Sequence, residues 1–254
     1  MKTSGNTILL SGGGSGIGRA LAQRWHDAGN KVVVAGRRTD ALEETAAGRP
    51  GIAVERLDVD DVAGLPASVG RIIERHPAIN VLVNNAGIMR FERLDQQRDL
   101  ADAEATIATN LLGPIRLTDA LIDHLVGQSD AAIVNVTSGL AFVPLVTTPT
   151  YSATKAAIHS YTIALREALR GRVEVIELAP PGVQTDLTPG QSTRPGYQPL
   201  DEFAHEVMEL FARQPTPPEI LVESVQAFRH AERHDKLGEL VTMLAERSRK
   251  NGAD

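Results

Sequence analysis

Strict alternation is the feature that most limits what this chain can fold into. From residue 7 to residue 180, short β-rich runs recur between longer stretches with helical spacing. The runs at 7–12, 31–36, 52–58, 79–86, 131–138 and 173–180 are brief and rich in Val and Ile. Each closes on turn residues, as strands covered on both faces do. Between them, helical patterns occupy 17–28, 38–47, 62–76, 100–127 and 150–169. A β–α–β–α series of this kind predicts an α/β fold: a parallel sheet with right-handed crossovers and helices on both faces.

After Pro180 the character changes. Residues 186–217 are rich in Pro, Gly, Thr and Gln around one helical piece, and 219–249 reads as helix without a strand. No linker or repeat divides the chain. The expectation is therefore one unit over 1–254 with an insertion at 186–217. With 42% hydrophobic and 23% charged residues, 254 residues can bury a sizeable core. No apolar run approaches the ~20 residues of a membrane span, and the polar start at 1–7 has no signal-peptide core. A cytoplasmic protein without a membrane partner is expected. The absence of cysteine excludes disulfides, thiolate metal sites and a cysteine nucleophile. A net charge of -6 gives no reason to expect nucleic acid.

Three local patterns carry chemistry. "SGGGSGIG" (11–18) follows the first run and opens the first helical pattern. Its Gly12, Gly16 and Gly18 fit a turn that lets backbone approach a pyrophosphate at a helix N-terminus, with Ser15 and Ile17 on the same turn. An ordinary strand-to-helix turn has the same spelling. The second run ends "VVVAGRR", with Gly36 where an acid could bind a ribose 2′-hydroxyl and Arg37 and Arg38 just beyond. Arg suits a 2′-phosphate, so NADP(H) is expected over NAD(H). In "TYSATKAAI", Tyr151 and Lys155 are four apart and share a helix face. A cation there, with a nearby nicotinamide, favours tyrosinate and a working acid/base. A core tyrosine beside a lysine reaching for solvent has the same spacing.

Taken together, the motifs resemble those of the short-chain dehydrogenase/reductase family over nearly the whole chain. "SGGGSGIG" matches the family's TGxxxGxG with Ser11 for Thr, and "LDVDD" puts Asp58 and Val59 where the family approaches adenine. "NNAG" supplies Asn85, Ala86 and Gly87, "ATNLLG" supplies Asn110, and "VTSG" supplies Ser138, thirteen residues before Tyr151. The spelling "APPGVQTDL" with "LDEFAHEVM" downstream is most similar to a subgroup of oxidoreductases named for the lipoteichoic-acid D-alanine operon.

The resemblance implies a Rossmann-like doubly wound sheet of order 3-2-1-4-5-6. It implies that Ser138 binds the substrate oxygen, Tyr151 is the acid/base, Lys155 holds the nicotinamide ribose and Asn110 holds a relay water. Pro181, Val183 and Thr185 would lie near the carboxamide, although Pro181 replaces the family's Gly and stiffens that loop. The family's seventh strand and Asp-Gly-Gly ending are not found, so a seventh strand is expected to be absent. A homodimer through 100–127 and 150–169 is favoured over a tetramer. Leu140, Phe142, Val143, Leu145, Leu187, Tyr197 and Phe203, in or beside 142–148 and 186–217, are expected to line a pocket for a moderately apolar carbonyl or alcohol. No metal site is expected. A non-catalytic NADP-binding sensor or scaffold, and an epimerase or dehydratase using the same Tyr–Lys pair, are the alternatives.

Overall fold

The computed structural model describes residues 1–250; the last four residues of the expected 1–254 unit lie outside them. Six strands fall inside the expected runs: β1 (Thr7–Ser11), β2 (Lys31–Gly36), β3 (Ile52–Arg56), β4 (Val81–Asn84), β5 (Ala132–Val136) and β6 (Glu174–Leu178). Most are shorter than the runs, yet residues beyond their ends still bond to neighbouring strands, at places such as Asn80 N–H to the Thr7 carbonyl and Thr137 N–H to the Leu178 carbonyl. A seventh strand, β7 (Glu219–Ile220), corrects the expectation that none exists. It pairs in parallel with β6 through Glu177–Glu219 and Leu178–Ile220. Two residues after Pro217 and Pro218 are too few to show a strand pattern in sequence. The seven-stranded sheet runs β3-β2-β1-β4-β5-β6-β7, and each neighbouring pair is parallel.

The helices are α1 (Gly16–Asp27), α2 (Thr39–Ala46), α3 (Leu65–Arg75), α4 (Ala101–Ile107), α5 (Gly113–Val126), α6 (Pro149–Ala168), α7 (Leu200–Ala212), α8 (Glu223–Arg229) and α9 (Leu237–Lys250). Successive strand residues point to opposite faces, so each strand feeds two cores. Ile8, Leu10, Val32, Val34 and Val81 pack with α1 and α7 on one side. Leu9, Val33, Leu82, Ile133 and Val175 pack with α3 and α5 on the other.

Helix α7 overturns part of the expected substrate pocket. Its Phe203, Ala204, Val207 and Phe211 recur on one helical face and are buried against α1. The Phe211 ring meets Trp25 edge-on at 5.5 Å. Phe203 is therefore a core residue, because helical periodicity commits it to the same face as Phe211.

The expected helix over 100–127 is also interrupted. A π turn, Ala108–Leu112, separates α4 from α5, and the Gly113 amide reaches five residues back to the Ala108 carbonyl. Pro114, in the first turn of α5, has no N–H. The Asn110 carbonyl four residues before it thus loses its α-helical donor. A buried polar chain crosses the sheet nearby: Asn84 Nδ2 donates to Thr118 Oγ1 and Asn135 Oδ1, and Asn135 Nδ2 donates to Thr162 Oγ1. Asn135 opens a glycosylation sequon in sequence, yet its side chain is held inside the sheet.

Candidate active site

The C-terminal ends of β1, β2, β4, β5 and β6 open onto one cavity of about 490 Å³. This is where an open α/β sheet offers a crevice, outside the carboxyl ends of its strands. The Gly-rich turn forms its floor. A Cβ on Gly18 would lie 2.3 Å from the Gly12 carbonyl oxygen and 2.6 Å from Asn85 Nδ2. Only glycine lets α1 start so close to the turn that feeds it. Ser11 ties that turn to β4, its hydroxyl accepting from the amides of Asn85 and Ala86 at 3.1 Å each.

Helix α1 begins at Gly16 with no side-chain cap from Ser15 and no acid in its first turn. Its first amides, with Ile17 and Gly18, face the cavity as an anion cradle. On the β2 side, Arg37 Nη1 lies 3.6 Å from Asp60, and Arg38 Nη2 lies 3.5 Å from the Ser15 hydroxyl. Asp58 and Val59 line the next wall, and Ala86 and Gly87 close the middle. Pro181, Val183 and Thr185 bound the far side. An uncapped helix start and two arginines on one cavity fit a dinucleotide phosphate by the chemistry of their donors.

Ser138, Tyr151 and Lys155 stand on the wall of the same cavity. Ser138 caps a 3-10 turn, Gly139–Ala141, accepting from the Leu140 amide at 3.1 Å. Tyr151 and Lys155 lie on the first turns of α6, as their spacing predicts. Burial pushes the Tyr151 phenol up to about 12, against a hydrogen bond from Ser138 that lowers it. Burial pulls the Lys155 amine down to about 8. Burial therefore dominates at both groups in the protein without a cofactor. The Lys155 Nζ is spent on the Val136 carbonyl at 2.8 Å.

Asn110 is buried but does not line the cavity. Its amide holds the Ile88 backbone at both ends, Nδ2 donating to the carbonyl and Oδ1 accepting from the N–H, each at 2.8 Å. Of the expected substrate-pocket residues, Leu140 and Leu145 pack with Met89, Tyr151 and Leu244, and Leu187 lines the cavity. Phe142 turns away, its ring edge-on to His159 at 5.1 Å and under the Arg229 guanidinium. Val143 is fully buried, and the Tyr197 ring packs on Gly182.

Several positioning groups have no sequence signal. Glu92, whose side chain is only 4% exposed, accepts from the Thr150 amide at 3.0 Å and from its hydroxyl at 2.8 Å. It thereby fixes the start of α6 one residue before Tyr151. Asp60 accepts from Thr109 Oγ1 at 2.8 Å. Behind Ser138, Glu177 accepts from Thr137 Oγ1 at 2.6 Å and contacts His159 Nδ1 at 2.7 Å. Glu219 completes this group but is held by two nitrogens of Arg229, each at 2.9 Å. Burial works to raise the Glu219 carboxyl, yet the Arg229 hydrogen bonds hold it below the usual range. The His159–Glu177 contact is a hydrogen bond.

Residues 6–195 match the family described as short chain dehydrogenase. A curated relative, the uncharacterized oxidoreductase DltE of Bacillus subtilis (strain 168), is 39% identical over 241 residues, covering 92% of this chain and 95% of that protein. The 3-ketoacyl-(acyl-carrier-protein) reductase from Brucella melitensis, solved in complex with NADH, superimposes with a TM-score of 0.75 at 25% identity. The match covers 86% of this chain and 96% of that one. A short chain dehydrogenase from Burkholderia cenocepacia J2315, in complex with NADP, reaches a TM-score of 0.81 at 24% identity, covering 96% and 99%.

Proposed function

The chain belongs to the short-chain dehydrogenase family, and from that premise we propose that it is an NADP(H)-dependent oxidoreductase acting on a small-to-medium, moderately apolar carbonyl or secondary alcohol. The observation that carries this reading is that Ser138, Tyr151 and Lys155 share one cavity with the Gly-rich turn and both arginines. Both NADH and NADP occur in the similar structures. The choice of NADP(H) therefore rests on Arg37 and Arg38.

In this reading the first amides of α1 and the Gly12–Gly18 turn hold the pyrophosphate, and Arg37 and Arg38 hold the 2′-phosphate. Asp58 and Val59 flank the adenine, Asn85 to Gly87 support the middle of the cofactor, and Pro181, Val183 and Thr185 meet the carboxamide. Lys155 holds the ribose. When bound, the nicotinamide donates or accepts hydride and, in its oxidised form, adds a positive charge that favours tyrosinate. Ser138 donates to the substrate oxygen and orients it. Tyr151, held protonated by burial, passes its proton to that oxygen in reduction and takes it back in oxidation. Asn110 fixes the Ile88 backbone, and in this reading it also holds a relay water. Leu140, Leu145 and Leu187 give the substrate side its apolar character.

The test is a binding titration with NADPH and NADH, followed by NADPH oxidation against a panel of ketones and aldehydes. Tighter NADPH binding, with turnover falling at least ~100-fold in Tyr151→Phe, is expected. Turnover that survives Tyr151→Phe counts against the reading. A homodimer is part of the proposal: Ile107, Leu112 and Ile163 on α4 to α6 are exposed apolar residues at the expected interface. A monomer in sedimentation would refute that part.

A further inference from the structure

Behind Ser138 the sheet holds a buried carboxylate with no part in the proposed proton and hydride transfer. Glu177 stands on β6, fully buried, and is not part of the cavity wall. Each of its oxygens meets a different element. Oε1 accepts from Thr137 Oγ1 at 2.6 Å, and Oε2 lies 2.7 Å from His159 Nδ1. A carboxylate only accepts, so His159 Nδ1 carries the proton of that bond. Thr137 is the residue before Ser138, and His159 lies on α6, about two turns beyond Tyr151.

The end of β5 needs no side chain to hold it to β6. The Thr137 amide donates to the Leu178 carbonyl and the Gly139 amide to the Pro180 carbonyl, each at 2.8 Å. A helix is different, because its backbone groups are spent within it and only side chains can tie it to a sheet. Lys155, His159, Thr162 and Arg166 on α6 all bond to residues of β5 or β6. Of these four, only His159 reaches a side chain that also bonds the neighbour of Ser138. Stability alone does not call for a carboxylate at this point, since burying one is costly and apolar groups can replace it. A fully bonded carboxylate does fix the separation of its two donors.

We propose that Glu177 is a positioning residue that, through His159 and Thr137, sets the distance between the helix carrying Tyr151 and Lys155 and the strand end carrying Ser138. The inference rests on the oxidoreductase reading of the cavity. It extends the working parts of the site to a layer behind the wall, where Glu219 is kept apart from Glu177 by its two bonds to Arg229.

The experiment measures three quantities on full-chain variants: kcat with a carbonyl substrate of the panel, the dissociation constant of the preferred dinucleotide, and unfolding in denaturant. Glu177→Met is expected to lower kcat about tenfold while the dissociation constant moves less than about threefold. Glu177→Gln can accept from Thr137 and donate to the other tautomer of His159, so kcat should stay within about threefold of wild type. His159→Leu is expected to lower kcat about fivefold alone, but less than about twofold on top of Glu177→Met. Thr137→Val combined with Glu177→Met leaves no unpaired group between the two positions, so stability should approach wild type while kcat stays low. An unchanged kcat in Glu177→Met, or a kcat that recovers together with stability in the combined variant, overturns the proposal and leaves the oxidoreductase reading intact. A full effect of His159→Leu on top of Glu177→Met overturns it as well. A wild type that turns over no carbonyl overturns the oxidoreductase reading itself, and this proposal with it.

Discussion

Lys155 Nζ donates to the Val136 carbonyl at 2.8 Å and lies 5.6 Å from the centre of the Tyr151 ring. The amine therefore bridges the end of β5 and the acid/base face of α6. It does so from a desolvated position, 5% exposed. Placement of Lys155 and Tyr151 is covalently cheap, since both project from consecutive turns of one helix. Their electrostatics are set by burial, and two opposite shifts follow.

Those shifts predict a pH dependence of stability. Burial pulls Lys155 from 10.5 to about 8. Below pH 8 the amine is charged in folded and unfolded chains alike, and the cost of burying the charge is present in full. Between about 8 and 10.5 the unfolded chain binds more protons, so this group's contribution to stability rises with pH, by at most about 3 kcal/mol. Tyr151, raised from 10.0 to about 12, acts in the opposite direction only above pH 10. Urea unfolding of wild type and Lys155→Met at about pH 7.5 and 9.5 should show the difference moving about 1–2 kcal/mol in favour of wild type at the higher pH. A constant difference would mean that the amine is not desolvated.

Arg37 and Arg38 predict a selective loss. Arg37 is only loosely paired with Asp60, at 3.6 Å, and Arg38 only grazes the Ser15 hydroxyl, at 3.5 Å. Both guanidinium groups are accordingly free to turn to a phosphate. Arg37→Ala and Arg38→Ala should each weaken NADPH binding about tenfold while moving NADH less than about threefold. Parallel losses for both dinucleotides would place the arginines elsewhere than on the 2′-phosphate.

Glu92 predicts a coupling between the 88–100 segment and the acid/base. Its buried carboxylate accepts from Thr150 and is paired with Arg98 at 2.9 Å. Removing it leaves Arg98 and the Thr150 amide without this partner. Glu92→Ala should cost about 3 kcal/mol of stability in denaturant unfolding. It should also lower kcat more than it changes the dissociation constant of the cofactor, because the start of α6 carries Tyr151 and the phosphate cradle is remote from it. A fall in cofactor affinity of the same size would show a general loss of structure instead.

Much of this protein could be read from residue order, for a physical reason. Strand and helix periods are local, so six of the strands and the placement of Tyr151 beside Lys155 follow from spacing alone. The Gly-rich turn is legible because the steric demand at Gly18 excludes every other side chain. Proline is equally local in effect, yet the break at Gly113–Pro114 lies inside apolar spacing that continues on both sides of it.

What spacing could not show are relationships between residues far apart in the chain. β7 exists because Glu219 and Ile220 find the free edge of β6, not because two residues have a strand pattern. Phe203 looks like a pocket residue beside its Pro- and Gly-rich neighbours, and only the docking of α7 on α1 commits it to the core. Glu92 and Glu177 are ordinary polar residues until the fold brings them to Thr150 and Thr137. The sequence by itself determined the alternation, the cradle and the identity of the chemical groups, since each depends on the chain's near neighbours. Tertiary structure alone decided the burial that shifts Tyr151 and Lys155 and the direction of each hydrogen bond around them, because desolvation and hydrogen-bond partners are properties of packed surroundings.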